Sequence, residues 1–213
     1  MSVECGLVRR TLGGDRDPRR SSAADPRSVF PLQASRDETH MAQHVPVCAD
    51  APQRRIPKHG LGEKEMLQAW LEFGRNTILG KVAGLSEDGA RYNPTRSNTS
   101  LAGIVKHLTT VEQHWFQVVL GGRDVPMPFD PQNPDGDWIT SADESLPDLL
   151  ARYREACRDS DRIIDDLELD STGAQTADDY TLRWALCHVA LDTARHAGHA
   201  DLLREQWDGA RGW

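Results

Sequence analysis

The sequence is short of the features that usually give a function away. Its four cysteines (Cys5, Cys48, Cys157 and Cys187) are scattered, with no C-x-x-C spacing. They read as free thiols in a reducing cytoplasm, not as a disulfide frame. No apolar run approaches the roughly 20 residues needed to span a bilayer. No apolar segment follows the basic residues near the start, so neither a membrane anchor nor a secretory signal is expected, and the reading is a cytoplasmic protein. An excess of positive charge is also lacking. The net charge of −8 speaks against a nucleic-acid partner. There is no internal repeat, heptad run or alternating strand pattern. What remains is globular composition on the hydrophilic side, 38% apolar and 27% charged over 213 residues, which fits one domain with a tail.

The chain divides in two. Residues 1–60 are rich in Arg, Pro, Ser and Asp, carry ten Lys/Arg against seven Asp/Glu, and lack any periodicity. Such a segment cannot bury enough apolar surface to offset its ordering entropy, so a disordered N-terminal extension is expected. Met41 is an alternative start, and His40-Met-Ala-Gln-His44 is formally H-x-x-x-H but has no helical context.

Residues 61–213 form the expected domain. Met66, Leu67, Trp70, Leu71, Gly74, Ile78, Leu79 and Val82 recur at helical spacing and predict a helix over 63–83, ended by Gly84-Leu85-Ser86. Ser100 or Thr99 caps a second helix over 100–120. A long loop over 123–141 holds five Pro or Gly residues and Trp138, and loops of that length are often functional. Ser145 or Asp143 opens a third helix over 144–167. The fourth runs over 181–207, with Trp184, Val189, Ala194 and Leu202 among its inward positions. Four amphipathic helices of this length predict an all-α four-helix bundle. Its longer loops admit a crossover connection as well as up-and-down order.

The chemistry gathers on the fourth helix. In Asp192-Thr-Ala-Arg-His-Ala-Gly-His199, the side chains of Asp192, His196 and His199 share one helical face, with His188 one turn earlier. A divalent metal that accepts carboxylate and imidazole can use such a face. If the second helix packs beside the fourth, His107 completes a site with Asp192 and His196: two imidazoles, one carboxylate and an open fourth position. On spacing alone, Asp192 with Arg195 or His196 reads equally well as an ordinary surface pair, and His107 as a hydrogen-bonded core residue. A ferritin-like di-metal centre is disfavoured, because no Glu-x-x-His occurs in the bundle.

Four stretches carry a resemblance. Thr99-Ser-Leu-Ala-Gly-Ile-Val-Lys-His-Leu108 with Val111-Glu-Gln-His-Trp-Phe116 resembles the first half of a DinB-like domain. Ala194-Arg-His-Ala-Gly-His-Ala-Asp-Leu-Leu-Arg-Glu205, after Thr181-Leu-Arg-Trp184, resembles its last helix. Within that superfamily the chain is similar, over about 61–211, to the branch of mycothiol-dependent S-transferases and related uncharacterised proteins. The resemblance implies a metal held by one His of the second helix and two ligands four apart on the last. These positions fall on His107, Asp192 and His196. It also implies zinc first, with nickel, iron or manganese compatible, and a low-molecular-weight thiol such as mycothiol as cofactor. The branch typically has Glu where this chain has Asp192. That side chain is one methylene shorter, which makes His199 the reserve ligand.

The implied activity is a thiol-dependent S-transferase or isomerase acting on a small electrophile. His199 or Arg195 would orient substrate, and Glu112 is either a further candidate behind the ligands or a solvated residue on the helix face. Cys157 and Cys187 are expected to be small buried hydrophobes. Metal-dependent hydrolysis and a non-catalytic, stress-related small-ligand-binding protein are the alternatives, and paired domains in a homodimer are compatible with the sequence.

Overall fold

The computed structural model describes residues 51–97, 99–173 and 179–211. The expected disorder of the tail, with Met41, the His40/His44 pair, Cys5 and Cys48, falls outside these residues up to Asp50. Among the described residues there is no strand, only an isolated bridge between Thr172 and Thr181. The helices are α1 (Glu63–Val82), α2 (Glu87–Arg91), α3 (Leu101–Glu112), α4 (Leu146–Asp166) and α5 (Leu182–Asp208), and α3 runs on as a π-helix over Gln113–Leu120. The four long ones make the expected four-helix bundle. No helix among the described residues is long and apolar enough to cross a membrane.

Local chemistry sets the boundaries. Ser100, Ser145 and Thr181 cap α3, α4 and α5, each side-chain oxygen accepting from a backbone N–H in the first turn. Gly209 ends α5 at φ +77°, a left-handed conformation that favours glycine. Two features were not expected. The five-residue α2, capped by Ser86, is too short to show periodicity. The last two turns of the predicted second helix are wound as a π-helix, with Gly121 N–H donating to Phe116 O at 2.9 Å.

Side-chain pairs give the topology. Arg183 Nε lies 2.7 Å from Glu63 Oε1, and Lys81 pairs with Asp201, so α1 and α5 run parallel. Gln68 reaches Asp165 at 3.2 Å and Arg75 reaches Asp161 at 2.6 Å, so α4 opposes α1. Gln117 Nε2 donates to Ala156 O at 3.4 Å and Lys106 reaches Glu144 at 2.9 Å, so α3 and α4 run parallel. Parallel neighbours cannot be joined by a tight turn. The chain from Leu120 to Leu146 must return along the bundle, about 30 Å at 1.5 Å per helical residue. That requirement explains the long loop and carries its second half over α3.

Several inward assignments are corrected. Trp70 is 46% exposed and Leu202 60%; Trp184, Ala194 and Cys187 are exposed as well. Both α1 and α5 carry apolar residues around more than one face, and the bundle covers only one. Glu112 is also not where the sequence suggested. It is 1% exposed and held by both Arg75 nitrogens, Nε and Nη2, at 2.8 Å. Arg75 continues to Asp161, so this buried ion pair ties α1 to α3 and α4.

Breaking that pair from one side should leave an uncompensated buried charge. Arg75→Met is expected to cost about 3–5 kcal/mol, and Arg75→Met with Glu112→Leu to recover most of it. Urea unfolding of the single and double variants measures both values.

Candidate metal centre

α3 and α5 pack antiparallel, and their facing sides bring His107, Asp192 and His196 together. All three are buried, at 3%, 5% and 4% exposure. One ligand atom from each lies within 4.8 Å of the others. His107 Nε2 stands 3.5 Å from Asp192 Oδ2, and His196 Nε2 stands 3.6 Å from Asp192 Oδ1. These contacts are too long for good hydrogen bonds, and both Nε2 atoms are buried without a hydrogen-bond partner. They match another spacing. Ligands about 2.1 Å from a tetrahedral metal lie about 3.4 Å apart.

The other ring nitrogens are occupied. His107 Nδ1 lies 2.7 Å from Asp137 Oδ2. A carboxylate only accepts, so Nδ1 carries a proton, and in the neutral ring Nε2 keeps its lone pair. His196 Nδ1 is 3.3 Å from His199 Nδ1, a contact in which either ring can donate; with the proton on His196 Nδ1, its Nε2 is free in the same way. In those tautomers both imidazoles turn an Nε2 lone pair toward one carboxylate, as metal ligands backed by outer partners do.

Electrostatics follow from burial and from that carboxylate. Burial alone would depress the His107 pKa, but Asp137 and Asp192 outweigh it and hold the pKa above the ordinary value. Burial pushes His196 down to about 4, against the pull of Asp192 and with repulsion from His107. Burial would raise Asp192, yet contact with His107 and the charges of His196 and Arg195 keep its carboxyl below the usual range.

The remaining candidates take other places. Arg195, half exposed, pairs with Asp192 Oδ1. His199 is exposed and touches His196 from the solvent side, outside the three-residue cluster. Glu112 is absent from the cluster because Arg75 holds it on a different side of α3. His188 stacks on Trp184, with ring centroids 4.6 Å apart, and sits edge-on to Trp115. Cys157 is free and half-buried, its thiol pKa pushed well up by burial and then by Glu112.

Sequence reasoning missed Asp137 and the role of Trp138. The indole stacks on His107 at 4.0 Å and 15°, and meets His196 at 5.1 Å. Both residues lie in the long loop, whose length was the only signal that pointed to them.

No curated protein matches the chain. The family model for mycothiol-S-transferase matches residues 66–209, a span that holds His107, Asp137, Asp192 and His196. On that match, the chain belongs to the mycothiol-S-transferase family.

Proposed function

We propose that the protein is a metal-dependent S-transferase that joins a low-molecular-weight thiol, mycothiol, to a small electrophile. The observation that carries the reading is the pair of buried, unpartnered Nε2 atoms flanking Asp192. Orphaned buried nitrogens are costly unless something takes their lone pairs, and a divalent metal, zinc first, fits two imidazoles and a carboxylate. When bound, such a metal lowers the pKa of a thiol and supplies thiolate at neutral pH.

The chain's own residues do the rest. His107 and His196 present neutral nitrogens, and Asp192 adds a single negative charge. That set undercompensates a divalent cation and leaves net positive charge to favour a thiolate. Trp138 stacks flat on His107 and meets His196 edge-on, and so lines one side of the site with an apolar ring. In the transfer, the thiol sulfur bonds to the electrophilic carbon, and the leaving group departs with its electron pair. The thiol proton leaves by the solvent side, where His199 stands beside His196. Arg195, beside Asp192, is placed to attract a negatively charged part of either reactant.

Metal content tests the centre. The purified protein should carry about one divalent metal per chain, and His107→Ala and His196→Ala should each lose it while remaining helical. A metal-free wild type would sink the proposal. Chelation is expected to lower Tm by roughly 5–10 °C, from about 2.7 kcal/mol of linkage at 100 times Kd. Thiol dependence tests the reaction. With an alkyl halide as electrophile, turnover should require mycothiol and vanish in Asp192→Ala. Metal-dependent turnover with no thiol added would point to hydrolysis, and stoichiometric metal without turnover to a binding protein.

A further inference from the structure

The crossover between α3 and α4 supplies no ligand to the cluster, yet it grips one of the ligand rings on two sides. Asp137 takes the Nδ1 proton of His107 at 2.7 Å, and Trp138 lies flat on the same ring. Together they fix the tautomer and the rotation of the imidazole, which decides where Nε2 points. The loop is tied down around this point. Trp138 N–H and Ile139 N–H both donate to Asp135 O, at 2.9 and 3.1 Å. Lys106 Nζ donates to Ile139 O at 2.8 Å, and Arg91 Nη1 to Thr140 Oγ1 at 2.9 Å.

Its closest seat is Gly103, one helical turn before His107. A Cβ at Gly103 would fall 2.6 Å from the Trp138 carbonyl oxygen. Glycine weakens a helix interior relative to alanine, so its presence here is explained by the close approach of loop to helix. Gly198 on α5 provides the contrast, since a Cβ there would meet nothing within 4 Å.

We propose that Asp137 and Trp138, seated on Gly103, are positioning residues for His107, so that the grip on the metal depends on a loop that never touches it. This rests on the metal reading above and extends it to groups outside the ligand set. It predicts that a methyl group at position 103 weakens metal binding from a distance, because the displaced loop releases the imidazole.

The test uses cobalt(II) added to the metal-free full chain, read by visible absorption and by chelator competition. Gly103→Ala and Asp137→Ala are expected to weaken cobalt binding by about 10–100-fold, as loss of an outer partner does, and to shift the ligand-field bands. Asp137→Asn, whose amide oxygen still accepts from Nδ1, should recover much of the affinity. Gly198→Ala should bind as the wild type does. Thermal unfolding of each metal-free variant separates a folding defect from a binding one, because a merely structural loop would lower Tm and leave affinity and bands unchanged. Wild-type affinity and bands in both Gly103→Ala and Asp137→Ala, with His107→Ala unable to bind, overturn the positioning role alone. No cobalt binding by the wild type overturns the metal reading as well.

Discussion

A carboxylate buried between two imidazoles has to be neutralised, and the arrangement around Asp192 follows from that requirement. Leaving an isolated charge in a protein interior costs several kcal/mol even after relaxation. Asp192 is 5% exposed, yet its carboxyl pKa is lowered. The Arg195 guanidinium pairs with it at the edge, while His107 across the α3–α5 contact and His196 one turn on face it with their rings. Two of these groups are imidazoles whose inner nitrogens have no hydrogen-bond partner. The site therefore brings one carboxylate and two unpartnered ring nitrogens together, a set that could hold a divalent cation.

The same helix separates this chemistry from the scaffold. His107 and Glu112 are five positions apart on α3, which puts their side chains about 140° apart around the axis. One faces α5 and the other faces Arg75 on α1. The ion pair is bidentate and almost fully buried, whereas Asp161 completes it at the surface. A buried carboxylate can thus mean two different things on one helix. Glu112 is matched by a full guanidinium and leaves nothing for a ligand. Asp192 is matched by groups that can be rearranged.

What the sequence made legible was local. The four long helices showed in their apolar spacing; Ser100 and Ser145 were each one of two candidate caps, and the start of α5 near Thr181 was placed without naming a cap. Asp192 and His196 could be paired because four residues make about one helical turn, and His107 was credible because it lies on the core-facing stripe. Contacts over long separations were not legible. Asp137 lies 30 positions from His107 in a loop without periodicity, and Arg75 lies 37 positions from Glu112. The inward reading of Trp70 and Leu202 failed for a different reason. On α1 and α5 the apolar residues spread around the helix, so spacing defines a stripe without saying which part of it the neighbours cover. The π winding after Glu112 leaves the order of apolar residues almost unchanged, so spacing does not reveal it.

The residue type at position 192 is tied to the separation of α3 and α5. A shorter carboxylate would matter if the gap to His107 were left open, but the two oxygens already stand 3.5 and 3.6 Å from the two ring nitrogens. The imidazoles, which are the longer side chains, do the spanning, and the carboxylate stays close to its own helix. An extra methylene at 192 would carry the oxygens toward the facing nitrogens in a site already lined on one side by the Trp138 indole. It would have to be absorbed by a wider helix spacing or by a bent side chain. Interiors packed to this density resist both. Asp192 thus lies within 3.6 Å of both facing nitrogens, and His199 stands beside His196 on the solvent side.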